Sequence, residues 1–237
     1  FDGFSYRWLT KEMNDNLPRE LDFTGEKANL LRAKHNLREF IDSGDLVIPR
    51  VHDQACTRRV LTMDYEEGVY VTDTRTIKKQ WGLSTGDIAS TVSRVFCEQM
   101  YRHGFVHCDP HEGNILVRPH ATKKGKACVV LLDHGLYRDL GETFRMSYCR
   151  LWRSLVMGDE KGIKDTCNAM NVGPAYTLLA AMLTMRPWDD VVNQDRDKLK
   201  GNSTTKGESE MLKAYANKYF KDIVQLLGRV DSQMLLL

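Results

Sequence analysis

Apolar positions along the chain fall into a helix, a stretch of short strands, a second helix, a hairpin and a helical remainder. Over residues 26–41, Leu30, Leu31, Ala33, Leu37, Phe40 and Ile41 recur at near-helical spacing, with Thr24 placed as an N-cap and Gly44 as a stop. That spacing predicts one amphipathic helix. Two β-like runs follow, 46–51 (interrupted by Pro49) and 60–65, and they predict a small strand pair ending in the acidic turn Glu66-Glu67-Gly68. From Asp87, the residues Ile88, Val92, Val95, Phe96 and Met100 line one face of a second helix that Gly104 can cap. The apolar runs 115–117 and 128–132 flank the polar stretch 121–126, the pattern of a hairpin with an exposed tip.

Beyond Gly141 the pattern is helical. Phe144, Tyr148, Leu151, Trp152 and Leu155 share a face that Gly158 ends, and a further helix runs to Met170 before Gly173-Pro174. Residues 176–185 predict a buried helix, and Tyr148, Trp152 and Met182 form a core stripe. The polar stretch 193–210 has no periodicity and predicts a flexible loop, after which Leu212, Tyr215, Tyr219, Ile223 and Leu227 predict a last helix. Residues 234–237 are apolar and look like the start of another element.

Length and composition narrow the class. At 237 residues the chain suits one domain with extras or one two-lobed domain, and 42% apolar residues with 17 glycines are globular proportions. Lys+Arg 34 against Asp+Glu 32 leaves +2, with the basic residues spread, so the charge footprint of a nucleic-acid binder is missing. The longest apolar stretch is about ten residues, where a membrane span needs about twenty, so no transmembrane segment is expected. Six cysteines without a C-x-x-C predict reduced thiols, mostly in the core. The chain begins at Phe1 with no leader-like segment, so either a leader has been removed or the chain is a fragment, and the motifs below favour an internal piece of a longer protein.

The chemistry concentrates at the two ends of the predicted hairpin. Asp109 and Asn114 precede its first strand and Asp133 follows its second, which would bring two carboxylates and an amide oxygen together. Hard oxygens of this kind suit Mg²⁺, which keeps one or two protein carboxylates and takes the rest of its shell from phosphates and water. Asp109 and Asn114 are spaced as in the kinase loop H-R-D-x-x-x-x-N, and Asp133-x-Gly135 stands where kinases carry D-F-G. His107, two residues before Asp109, is expected to fix the loop by hydrogen bonding, Cys108 to be a packed thiol, and His103 and His120 to be surface or capping residues. A competing reading makes His107, Asp109, His111, Asp133 and His134 a binuclear Zn²⁺ or Mn²⁺ site for phosphoester hydrolysis, which would leave Asn114 unexplained.

The segment His107-Cys108-Asp109-Pro110-His111-Glu112-Gly113-Asn114 resembles the H-x-D-P-H-P-G-N signature of the UbiB, or aarF-domain-containing, atypical kinase family. Leu132-Asp133-His134-Gly135 is similar to its D-F-G or D-H-G, Glu20-Leu21-Asp22-Phe23 to its E-x-D, and Glu26-Lys27-Ala28-Asn29 to its E-A-x-N. The resemblance implies an α+β, protein-kinase-like fold that binds ATP or ADP with Mg²⁺. It implies Asp109 as the catalytic-loop acid, Asn114 and Asp133 as metal ligands, and Glu26 as the helix carboxylate that pairs with a strand lysine. Glu20 and Asp22 would face the family's KxGQ helix, and Met63 to Glu66, with Met63 and Tyr65 as cofactor-binding positions, would be the hinge against adenine. Residues 1–68 would be the remnant of an N-terminal lobe and 69–237 a C-terminal lobe.

The departures are equally definite. Neither G-x-G-x-x-G nor G-x-x-x-x-G-K-[ST] occurs, and before Glu20 there is no room for phosphate-covering strands, the strand lysine or the KxGQ segment. Glu112 replaces the signature's proline, and His134 marks the D-H-G branch. The expected activity is ATPase or phosphotransfer by the longer protein, with this segment alone inactive. A nucleotide-binding pseudokinase or scaffold is the alternative. Resemblance alone suggests mitochondrial location, a lipid or membrane-associated partner, and a role in lipid or coenzyme Q homeostasis.

Overall fold

The computed structural model describes residues 21–193, and the chain divides between Asp139 and Leu140 into two compact units. Glu20, nearly all of the loop expected at 193–210 and the expected last helix lie outside the described residues.

In the first unit, helix α1 spans Phe23–Asn36 and its N-cap is Asp22, not Thr24. The Asp22 carboxylate accepts the Thr24 backbone N–H at 3.1 Å and the Thr24 hydroxyl at 2.6 Å, satisfying one of the donors that a helix start leaves without an internal partner. The single helix expected to reach residue 41 breaks at Leu37 (ψ 17°), and the short helix α2, Arg38–Asp42, resumes beyond it. Leu37 is fully buried at this break with Leu30 and Leu46, so the core residues are those of the predicted stripe while the helix axis is interrupted. Gly44, at φ +78°, makes the turn into β1.

The predicted strand pair of 46–51 with 60–65 is corrected. Strand β1, Leu46–Val47, runs parallel to β5 (Ala127–Leu131) at the edge of a four-stranded sheet in the order β1-β5-β4-β2, where β4 is Ile115–Pro119 and β2 is Val69–Tyr70. Residues 50–64 instead form a narrow loop closed by the bridge Val51↔Met63 and by bonds from the His52 N–H to the Thr62 carbonyl and from the Asp64 N–H to the Arg50 carbonyl, both 2.8 Å. Pro49 has no N–H to continue the ladder, which accounts for the early end of β1.

The predicted hairpin is present as β4 (Ile115–Pro119) against β5, with β2 (Val69–Tyr70) antiparallel on the other side of β4. Its tip is organised by buried His120, whose Nδ1 accepts the N–H groups of Thr122 and Lys123 while Nε2 bonds the Ser43 carbonyl. Helix α3, Thr85–Cys97, begins at the Ser84 cap and widens into a π-helical turn, Glu98–His103, ended by Gly104 at φ +58°. That turn rotates Gln99 fully into the interior. It leads into β3 (Phe105–His107), which pairs antiparallel with β6 (Tyr137–Asp139) in a separate two-stranded ribbon. The result is the mixed, small-sheet α+β architecture that the sequence predicts.

Over its described residues, 140–193, the second unit is helical where the sequence predicts helices. Helix α4, Glu142–Met157, buries Phe144, Tyr148, Leu151 and Leu155 and stops at Gly158 in the left-handed region. Helices α5 (Glu160–Ala169), α6 (Tyr176–Thr184) and α7 (Trp188–Asn193) follow. Trp152 is half-buried, with its ring edge-on to Tyr148 at 6.3 Å. All six cysteines are free thiols, as expected, but just Cys128 and Cys167 are buried and Cys97 is exposed, a correction to the expectation of mostly core thiols. Among the described residues no helix is long and apolar enough to cross a membrane.

Leu37 closes the packing between α1 and the sheet, so Leu37→Ala is expected to lower unfolding free energy by about 2–5 kcal/mol, seen as a lower denaturant midpoint at unchanged m-value.

Candidate functional site

The loop between β3 and β4 and the segment after β5 lie side by side because β3 pairs with β6 while β4 pairs with β5. Asn114 is the junction. Its Nδ2 donates to the Asp109 carbonyl at 3.4 Å and to Asp133 Oδ2 at 3.3 Å, and its backbone carbonyl accepts the Leu132 N–H at 3.1 Å. The other Asp133 oxygen accepts the Gly135 N–H at 2.8 Å, and a Cβ on Gly135 would lie 3.3 Å from that oxygen. The Asp109 side chain is 46% exposed, with His111 Nε2 at 3.8 Å from Oδ2. Asn114 thus joins the Asp109 backbone to the Asp133 carboxylate, and it does so through its amide nitrogen where the sequence predicts the amide oxygen.

The histidines serve the backbone. Buried His107 accepts the Asp109 N–H at Nδ1 (3.2 Å), and its own N–H donates to Gln99 Oε1 at 2.9 Å. His111 Nδ1 accepts the Gly113 N–H at 3.1 Å, and a Cβ on Gly113 would fall 2.9 Å from that ring, which explains the glycine in this turn. His134 has no exposed surface, and its ring nitrogens face the Tyr137 hydroxyl (3.0 Å) and the Leu131 carbonyl (3.4 Å). These bonds occupy both ring nitrogens of His134 and the Nδ1 atoms of His107 and His111. Among the described residues no three His, Cys, Asp or Glu side chains converge as a metal cluster. Glu112 is exposed in the 3₁₀ turn Glu112–Asn114.

Helix α1 clamps this segment from one face. Glu26 Oε1 accepts the His134 N–H at 3.3 Å, and Asn29 Nδ2 donates to the carbonyls of His134 and Gly135 at 3.0 and 3.4 Å. One turn on, the Arg32 guanidinium forms a two-pronged pair with Asp139 and lies 3.9 Å over the Phe105 ring. Burial and the neighbouring Asp133 carboxylate push the Glu26 carboxyl up, while the His134 N–H opposes that shift. Burial and Asp133 also push the Tyr137 hydroxyl up. Asp22 caps α1 and pairs with Arg58 at 3.1 Å.

An open cleft of about 670 Å³ lies alongside, lined by Met63, Tyr65, Gly68, Val69, Leu116 and Leu132 among others. Leu132 connects it to the site, since Asp133 is the next residue. Tyr65 is 90% exposed. The chain after it is held to β4 by Arg118, which meets Glu66 at 2.9 Å and the Glu67 carbonyl at 3.3 Å. Gly68 passes so close to β4 that a Cβ would lie 3.0 Å from Leu116 Cβ and 3.1 Å from the Val117 carbonyl oxygen.

Three residues of the site carry no signal that spacing could have exposed. Asn29 is quoted in a motif but has no visible role until its amide meets carbonyls more than a hundred residues away. Gln99 depends on the π-helical turn, and Tyr137 on its cross-strand pairing with His107.

Burial depresses His134 to about 4, with His107, Asp133, Tyr137 and Glu26 around it. An unfolded histidine titrates near 6.5, so between about pH 6.5 and 4 the unfolded chain takes up a proton that the folded one refuses. The contribution is fully present above 6.5 and lost as pH falls, at about 1.4 kcal/mol per pH unit and about 3 kcal/mol in total. Glu26, shifted up, contributes in the opposite sense, since its share is lost as pH rises. Denaturant titrations without divalent cations are expected to show a shallower loss of stability over that window in His134→Phe than in wild type.

Residues 1–167 match the ABC1 atypical kinase-like domain. The chain is similar over its whole length to AarF domain-containing protein kinase 1 of Gallus gallus (39% identity) and of Mus musculus (40%), and it spans 44% and 43% of those proteins. A Dictyostelium discoideum relative at 32% identity, of which the chain spans 33%, is named a probable serine/threonine-protein kinase. In fold, 72% of the chain matches 40% of Mycobacterium tuberculosis Rv3197, solved in complex with erythromycin, with a TM-score of 0.52 at 18% identity. Most of the chain, including the loop and D-H-G segments that meet at Asn114, lies within the matched region, and the chain belongs to the ABC1 atypical kinase-like family.

Proposed function

We propose that this chain is the nucleotide-handling portion of an atypical kinase that binds Mg-ATP or Mg-ADP. The observation that carries the reading is the Asn114 junction, where an amide bridges the Asp109 backbone and the Asp133 carboxylate one residue from an open cleft of about 670 Å³. The donor set fits the metal. The Asn114 carbonyl oxygen and the Asp133 carboxylate are hard ligands of the kind Mg²⁺ takes beside phosphate oxygens, and to share one ion Asn114 would turn its amide so that the oxygen replaces the N–H₂ that here faces Asp133.

Asn114 and Asp133 would hold the ion, which when bound offsets the charge of the phosphate oxygens. Met63 and Tyr65, flanking Asp64 along the cleft, would offer backbone groups to the adenine edge. The half-exposed Asp109 carboxylate would orient an incoming hydroxyl and take its proton as that oxygen bonds to the γ-phosphorus and the bond from that phosphorus to the bridging oxygen breaks, with ADP as the leaving group. His107 holds the Asp109 N–H and keeps that carboxylate in place. Glu26 and Asn29 keep the segment after Asp133 against α1, and Asp22 keeps the start of that helix.

Residues 1–68 act in this reading as the remaining part of an upper lobe, and 69–237 as the lower one. Phosphate-covering strands, a lysine partner for Glu26 and a helix facing Glu20 and Asp22 would come from elsewhere in the longer protein. The activity is ATPase or phosphotransfer, and residues 1–237 alone are inactive. Mitochondrial location and a lipid-linked role belong to the same proposal, on family likeness.

Two measurements test it on the full-length protein. Nucleotide at about a hundred times its Kd contributes about 2.7 kcal/mol, a Tm rise of about 5–10 °C for a domain of this size. That rise is expected to require Mg²⁺ and to vanish in Asp133→Asn; no rise in wild type would sink the reading. ATP turnover is expected to fall about 10²- to 10⁴-fold in Asp109→Asn with nucleotide binding kept. Wild type that binds nucleotide without any turnover would instead be a pseudokinase.

A further inference from the structure

We propose that Tyr137 is a positioning residue of this site, holding the Asp133 segment and the Asp109 loop in one geometry through its hydroxyl bond to His134. The inference rests on the nucleotide reading above for what the geometry is used for, and on contacts alone for the geometry itself. The Tyr137 ring is stacked with three neighbours, at centroid distances of 4.5 Å from Phe105, 5.0 Å from His107 and 5.7 Å from His134. Tyr137 is also the cross-strand partner of His107, and beside that pair the Cys108 N–H donates to the Leu136 carbonyl at 2.9 Å. One side chain thus touches both the residue that holds the Asp109 N–H and the residue that follows Asp133.

The hydroxyl adds direction to that packing. A carbonyl can only accept, so the His134 nitrogen facing the Leu131 carbonyl, Nε2, carries the proton, and Nδ1 accepts the Tyr137 O–H. The imidazole is then fixed at both ring nitrogens in a place with no exposed surface, while its backbone N–H and carbonyl are held by Glu26 and Asn29. With residue 134 fixed at four points, the neighbouring Asp133 carboxylate keeps one orientation toward Asn114. Phenylalanine at 137 would keep the stacking but leave His134 Nδ1 buried without a donor. A buried polar group stripped of its partner costs more than the bond was worth, whereas replacing both partners by apolar groups of similar shape is close to neutral. The imidazole would be expected to turn in search of another donor, taking Asp133 with it.

Four full-length proteins are compared: wild type, Tyr137→Phe, His134→Phe and the double variant, all at a temperature where each is folded by circular dichroism. The first readout is the Mg²⁺ concentration that half-saturates ADP binding. The second, taken without nucleotide or Mg²⁺, is hydrogen exchange of the amides of residues 133–136. Tyr137→Phe is expected to raise the Mg²⁺ requirement about tenfold and to speed exchange at 133–136 by a similar factor, and the double variant to recover most of both. Were Tyr137 only a packing residue, Tyr137→Phe, which keeps the stacking, would move neither readout. Unchanged values in Tyr137→Phe, or a double variant no better than that single one, would overturn the assignment. Wild type that binds no ADP would overturn the proposed function instead, and the exchange measurement then decides the role of Tyr137 by itself.

Discussion

A histidine with no exposed surface has two ring nitrogens and two backbone groups to satisfy without water, and the shape of the segment around Asp133 follows from how His134 meets that demand. Its ring is bonded to Tyr137 and Leu131, its N–H to Glu26 and its carbonyl to Asn29. An unpaired polar group in such a place costs about 1–3 kcal/mol, so departures from this arrangement are penalised at several points together. Asp133, Gly135 and the start of β6 inherit their positions from it. Helix α1 is included too, because its Glu26 and Asn29 side chains are the far ends of two of these bonds.

The Asp109 loop is built on the same economy of polar groups. His107 accepts the Asp109 N–H, Gln99 accepts the His107 N–H, and His111 accepts the Gly113 N–H, so a loop too short for regular structure still pairs these donors. This explains why a segment so rich in histidine offers no cluster of free imidazoles. Asn114 then joins the two halves, and the close approach of Gly113 to His111 leaves no room for a side chain there.

The cleft beside the site is held by a different device. Arg118 on β4 ties down Glu66 and the Glu67 carbonyl, and Gly68 lets the chain pass within contact of β4 before β2 pairs with it. The segment 63–66 is consequently anchored at its far end by the sheet and at its near end by the bridge from Met63 to Val51. Leu116 and Leu132 belong to the cleft and to the hairpin that carries Asp133, so the sheet positions cleft and site together.

Much of this was legible in the linear chain because the relevant signals are local. Continuous apolar runs flanking the polar stretch 121–126 specify the β4–β5 hairpin, helical spacing specifies α3, α4 and α5, and a hairpin with Asp109 and Asn114 before it and Asp133 after it has to bring their segments together. The break at Leu37, the pairing of β1 with β5 instead of 60–65, and the inward rotation of Gln99 were not legible. Each is decided by what a segment packs against once the core closes, and short apolar runs fit several partners equally well. The same holds for Asn29 and Tyr137. A hydrogen bond from Asn29 to carbonyls more than a hundred residues away leaves no periodic mark, and an aromatic residue two places after D-H-G becomes a contact of both loops only when β3 and β6 pair. The sequence by itself determined which groups meet at the site. Tertiary structure decided how they are held, because the polar groups that hold them come from segments distant in the chain and are made to pair only by exclusion of water.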